Sequence, residues 1–126
     1  NSPDFISEEA PTGGTSYSKY ISRQVNFENS STGIKFLLDI AKPAECTVDF
    51  YYKTKLAGDN TNMNNIEYIK VPNVSIANSL AGEFSQFSKI VDNIDDFNSI
   101  IFKIVMNSSD ESKVPKIKNL RVISLQ

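Results

Sequence analysis

The sequence predicts an all-β domain: an antiparallel β-sandwich of jelly-roll or Greek-key type, with about seven or eight strands. Three observations carry that expectation. Apolar residues recur at every second position in several runs. Those runs are short, rich in β-branched and aromatic residues, and bounded by Asn, Ser, Gly and Pro clusters. No stretch keeps a 3.6-residue period long enough to demand a helix.

Taken in order, residues 1–19 (NSPDFISEEAPTGGTSYSK) contain Pro3, Pro11 and the Gly13-Gly14 pair, and read as an N-terminal arm or linker. Phe5 and Ile6 are candidate anchors for an arm; a plain tail fits the composition equally. Residues 20–126 form the sandwich domain. Its first strand spans 20–27, with Ile21, Val25 and Phe27 on one side, and residues 28–33 make a turn. Residues 34–41 follow, with Ile34, Phe36, Leu38 and Ile40 alternating against Lys35, Leu37 and Asp39. Pro43 breaks the run, because it cannot donate to a ladder. Residues 46–55 place Cys46, Val48, Phe50 and Tyr52 inward and Thr47, Asp49, Tyr51 and Lys53 outward. Two apolar strands across a four-residue break predict a hairpin.

Residues 56–65 (LAGDNTNMNN) are a polar loop, 67–72 a short strand, and 73–83 irregular with a helical turn at 76–80. A strand at 84–91 leads to an acidic turn at 92–96. The next strand, 100–106, has Ile100, Phe102, Ile104 and Met106 on one face and Lys103 on the other. A polar segment and a Val114-Pro115 turn precede the last strand, 120–125, where Leu120, Val122 and Ser124 alternate with Arg121, Ile123 and Leu125. The last two strands are expected to form a hairpin with a long loop.

Composition narrows function mainly by what is missing. A chain of 126 residues with 40% hydrophobic and 22% charged residues can bury a core as one domain. A net charge of −2 gives no basis for binding nucleic acid. With no His, the commonest general base and the commonest zinc ligand are both absent. The single Cys46 permits no internal disulfide and has no base to make it a nucleophile, so it reads as a small buried hydrophobe. No Gly-x-Ser-x-Gly or phosphate-binding Gly-rich loop occurs, and no apolar run approaches the ~18 residues of a membrane-inserted helix. The start at Asn1, without a basic leader, reads as a processed chain or a domain cut from a longer one. Abundant Asn, Ser, Ile and Lys against few Ala, Gly and Arg suggest an AT-rich coding genome. The chain is therefore expected to be non-enzymatic, with no cofactor and no metal.

The residues singled out for ligand or partner contact are Tyr51 and Tyr68, as aromatics expected to be partly exposed, and Asp59, Asn60 and Asn62 in the polar loop. Oxygen donors at alternate positions in that loop bring a calcium site to mind, yet only Asp59 carries charge and amides alone hold a hard cation poorly. Asp92, Asp95 and Asp96 crowd one short turn, whereas glycosidase carboxylates must flank a substrate; they read as turn caps. Asn29, Asn73 and Asn107 begin Asn-x-Ser sequons of the kind an Asn- and Ser-rich chain generates by chance.

Four short motifs occur in order: KYISRQV at 19–25, LDIAKP at 38–43, DFYYK at 49–53 and KVPKIKNLR at 113–121. In that order and spacing they resemble a module of large virion structural proteins from contractile-tailed bacteriophages, especially cyanophages and their marine relatives. The family pattern is a Lys-Tyr-Ile-Thr/Ser-Arg-x-Val strand, a Leu-Asp-Ala-x-x-Pro turn, a Val-Tyr-Tyr-Lys/Arg strand and a closing Lys-Val-Pro-x-Ile-x-Asp-Leu-Arg segment. This sequence departs from it at Ile40 and Lys42, and has Asn119 where Asp is common. The resemblance covers nearly all of the chain beyond the arm. It implies a virion location in the tail or baseplate region, an assembly role with other virion proteins as partners, repeated use as a homo-oligomer, and no catalytic residues. The alternative reading is a carbohydrate- or receptor-binding module of a tail fibre or surface protein, with a host-surface glycan as partner and Tyr51 or Tyr68 beside the Asn-rich loop as its site.

Overall fold

The computed structural model describes residues 19–56, 58–80, 82–108 and 115–125. Among the described residues there are eight strands: β1 (Lys19–Ile21), β2 (Val25–Ser31), β3 (Gly33–Ala41), β4 (Cys46–Lys55), β5 (Ile69–Lys70), β6 (Ser85–Val91), β7 (Phe97–Ser108) and β8 (Lys116–Leu125). They form two antiparallel sheets, as the alternating patterns predict. In the five-stranded sheet the order is β1-β7-β4-β5, with β2 also pairing β7; the three-stranded sheet runs β6-β3-β8. The inward residues of both sheets, including Ile34, Phe36, Leu38, Ile40, Val48, Phe50, Tyr52, Ile100, Phe102 and Ile104, form one core. The arm at 1–18 and the segment 109–114 lie outside the described residues.

β7 is the centre of the larger sheet. It pairs with the whole of β4, from Cys46 opposite Ser108 to Lys55 opposite Ser99. Along its other edge lie β1 and β2, so the single strand expected over 20–27 is in fact two. The interruption is built by Ser22: its N–H donates to the Phe102 carbonyl at 2.8 Å. The Phe102 N–H in turn donates to the Ser22 hydroxyl at 2.9 Å. A side chain thus stands in for a ladder group while the backbone bulges away. The turn expected at 28–33 is largely strand: β2 runs to Ser31 and β3 starts at Gly33. Gly33 suits that position, because a Cβ would sit tightly, 3.0 Å from the Val91 carbonyl oxygen. No helical turn forms at 76–80; that segment is instead tied down by Ser79, which exchanges backbone and side-chain hydrogen bonds with Lys42.

Both expected hairpins are corrected by the topology. β3 and β4 lie in opposite sheets, and so do β7 and β8. The reason is geometric. Alternation says that a strand buries one face, but not on which of two facing sheets. The four-residue link 42–45 spans up to roughly 13 Å when extended, more than the ~10 Å between packed sheets. It can therefore arch across the core as easily as fold back. Among the connections, only β1–β2 and β4–β5 stay within one sheet.

β8 carries one irregularity that matters below. Arg121 is opposite Leu37, and Lys118 opposite Asp39, so Asn119 and Leu120 together face Leu38. Two residues against one is a β-bulge. Asn119 takes φ of 57°, the left-handed region that Asn tolerates better than most side chains. Substituting Asn119→Val is expected to destabilise the domain by about 1–2 kcal/mol, whereas Asn119→Gly keeps the backbone conformation and is expected to stay near wild type. Urea unfolding of the two variants checks this.

Candidate functional site

The predicted contact residues do not form one site. Tyr51 and Tyr68, expected to be partly exposed, are buried, at 8% and 4% exposure. Alternation did place Tyr51 and Lys53 on the outer face of the five-stranded sheet, beside Lys103 and Ile101 of β7. That face is not open to solvent at this point. Tyr51, Tyr68 and Val105 form a second small core there, with Ile101 packed against it. Lys53 and Lys103 are buried within it.

The cluster holds two ammonium groups among aromatic rings. The Lys103 Nζ lies 4.6 Å from the Tyr51 ring centroid and 4.3 Å from that of Tyr68. The Lys53 Nζ lies 4.5 Å from the Tyr68 ring. The negative ring faces thus stabilise two partly desolvated cations, and both lysines have further partners. Burial pulls the Lys53 ammonium below the usual lysine value and pushes the Tyr68 and Tyr52 phenols above theirs. Between pH 10.0 and the raised folded values, the folded chain holds phenol protons that the unfolded chain has lost. Stability from these tyrosines is therefore complete below pH 10.0 and falls as pH rises above it. Lys53 acts oppositely: between its lowered folded value and 10.5, stability rises with pH. Urea unfolding across the alkaline range is expected to show the loss above pH 10.0, and Tyr68→Phe to flatten it.

Asp59, Asn60 and Asn62 are exposed, as a loop position implies. Two of them serve the loop itself. The Asp59 carboxylate accepts the Thr61 N–H at 2.8 Å, a bond that holds its carboxyl below the ordinary value. Asn62 caps the 3-10 turn Met63–Asn65 by accepting the Asn64 N–H at 2.9 Å. Among the described residues no group of three or more His, Cys, Asp or Glu is placed to hold a metal. Nor is any helix among them long and apolar enough to cross a membrane. Cys46 is buried and takes part in no disulfide among the described residues.

Two surface features that sequence reading missed are better formed. At the β1–β2 edge, Tyr20 and Val25 stand over a cleft of about 240 Å³ that reaches Ile100, Phe102, Leu120 and Val122 between the sheets. Tyr20, Ile21 and Val25 are each more than a third exposed. On the outer face of the three-stranded sheet, Asp39, Gln86, Asn119 and Arg121, with Leu120, line a mostly polar groove of about 610 Å³. One sequence signal pointed to the second: Ile117 and Leu120, both facing the core, are three apart where strict alternation needs two. That phase slip marks the bulge.

Comparison with known proteins gives little to add. No family model matches the chain, and no curated protein does. Among solved structures, it is similar to one described as the EclA C-terminal domain, a sugar-binding protein. The TM-score is 0.44 at 10% identity, over 85% of this chain and 66% of that one. It is also similar to the infectious bursal disease virus VP2 subviral particle. There the TM-score is 0.36 at 9% identity, over 86% of this chain and 32% of that one. The chain thus spans less than two thirds of either neighbour. Neither likeness bears on what this chain binds.

Proposed function

We propose that this chain is a non-enzymatic assembly module of a phage tail or baseplate protein, docking onto other virion proteins. The four ordered motifs suggest that setting. The observation that carries the reading is the β1–β2 edge, where exposed Tyr20, Ile21 and Val25 gather beside a cleft leading to the core. Single exposed apolar residues are ordinary, but a group of them on one edge suits a protein interface. A partner side chain entering the cleft would bury against Phe102 and Leu120. The test is gold-labelled antibody against the isolated domain, applied to intact and disrupted phage particles. Label confined to the baseplate or tail of disrupted particles supports a buried assembly role. Absence of label on both overturns the virion reading.

The second reading is a module that binds a host-surface glycan. It no longer rests on Tyr51 and Tyr68, whose burial keeps them from direct contact. It is favoured instead by the groove of Asp39, Gln86, Asn119 and Arg121. Label at exposed tail tips of intact particles would favour this reading over the first.

A further inference from the structure

Three strands contribute to the groove, and the β8 bulge is what assembles it. Gln86 of β6 lies directly across from Asp39 of β3. On the other side Lys118 is opposite Asp39 and Arg121 opposite Leu37. Between them the bulge inserts Asn119, which a regular strand would have turned to the core. Its Nδ2 donates to the Asp39 Oδ2 at 2.8 Å. That bond fixes the carboxylate and leaves the other oxygen, Oδ1, with no hydrogen-bond partner among the described residues. The side chains of Gln86 and Arg121 make no hydrogen bond or ion pair among the described residues either. One end of the groove is bounded by Lys118 of β8, whose Nζ reaches over β3 to lie 4.2 Å from the Phe84 ring centroid at the start of β6.

Such a set has a definite chemical preference. It offers a fixed anionic acceptor, a guanidinium with five donors, and two amides able to act either way. A sugar hydroxyl both donates and accepts, so a pair of neighbouring hydroxyls can donate to Asp39 and accept from Arg121 at once. Charge-assisted bonds of that kind are the stronger ones. A plain anion would meet the Asp39 carboxylate, and an apolar ligand would strip water from four polar groups without replacing it. The mix of one carboxylate, a guanidinium and two amides suits a polyhydroxylated ligand.

We infer that the outer face of the three-stranded sheet binds a saccharide through adjacent hydroxyls, with Asp39 as acceptor, Arg121 as donor, Gln86 as a further contact, and Asn119 positioning Asp39. This rests on the glycan-binding reading and gives it a site and a ligand class. The experiment titrates the protein with a panel of neutral and uronate-containing oligosaccharides, following amide resonances by NMR. The expected result is binding by at least one member, with shifts centred on Asp39, Gln86, Asn119 and Arg121. Asp39→Ala and Arg121→Ala should each weaken it by about tenfold or more. Both positions are at the surface, and undisturbed core resonances would show that the variants fold. Binding that moves other resonances and survives both substitutions would overturn the groove while leaving glycan binding intact. Failure of every saccharide in the panel would overturn both.

Discussion

Phe36→Ala is expected to be among the most damaging substitutions in the domain, destabilising it by about 3–5 kcal/mol and lowering the melting temperature by roughly 10–20 °C. Phe36 is fully buried at the centre of the smaller sheet. Its ring centroid lies 4.8 Å from that of Phe50 and 4.7 Å from that of Phe102, both on the opposite sheet, and 6.2 Å from Phe87. It touches two rings of the opposite layer at once. Phe50 and Phe87 are stacked at 5.7 Å with planes 5° apart, a contact that opposes their collapse into the space. The cavity cost therefore adds to the lost burial. Phe87→Ala should cost less, because Phe87 is only partly buried. Urea denaturation checks both, with an unchanged m-value showing that folding stays two-state. A loss below about 1 kcal/mol at Phe36 would mean that the sheets pack differently.

Lys103→Glu is expected to rank beside it, costing about 3–5 kcal/mol. Lys103 has no exposed surface, and its ammonium sits against the faces of Tyr51 and Tyr68. Reversing the charge places a carboxylate against two negative ring faces in a desolvated site, where a favourable electrostatic contact becomes a repulsive one. Lys103→Met keeps the length and apolar stem of the side chain, so it is expected to be far milder. The contrast between the two variants separates charge from packing. Equal losses in both would show that the ammonium's own contacts matter and that reversing the charge adds nothing further.

These two cases also mark where sequence reading succeeds and where it stops. The inward face of β3 was legible from Ile34, Phe36, Leu38 and Ile40 alone, because a period of two and a one-sided burial requirement leave little choice. The inward side of β4 was legible in the same way. Pairing was not legible. Asp39 meets Gln86, 47 residues away, and Asn119, 80 residues away, and nothing local in the chain encodes such encounters. The polar groove was invisible for that reason, apart from the slip of phase between Ile117 and Leu120. Tyr51 failed differently. Alternation placed it on the outer face correctly, but a strand pattern cannot say that Tyr68 will arrive from a distant loop to cover that face. Lys53 and Lys103 look like solvated charges in the sequence for the same reason.

A ribosome delivers β4 well before β7. β4 is complete at Lys55 and β7 only at Ser108, so at about 5–20 residues per second β4 waits roughly 3–10 s for its main partner. β3 waits similarly for β6 and then β8 on either side. With most connections arching between sheets, sequence-adjacent strands seldom pair; β3 can meet β6 once Val91 is made, but Phe50 and the main ladder edge of β4 wait for β7. Assembly of the sandwich is consequently late and concerted. Its rate is set by closing long loops rather than by local turns, and a chain cut before β7 would lack the main partner of β4.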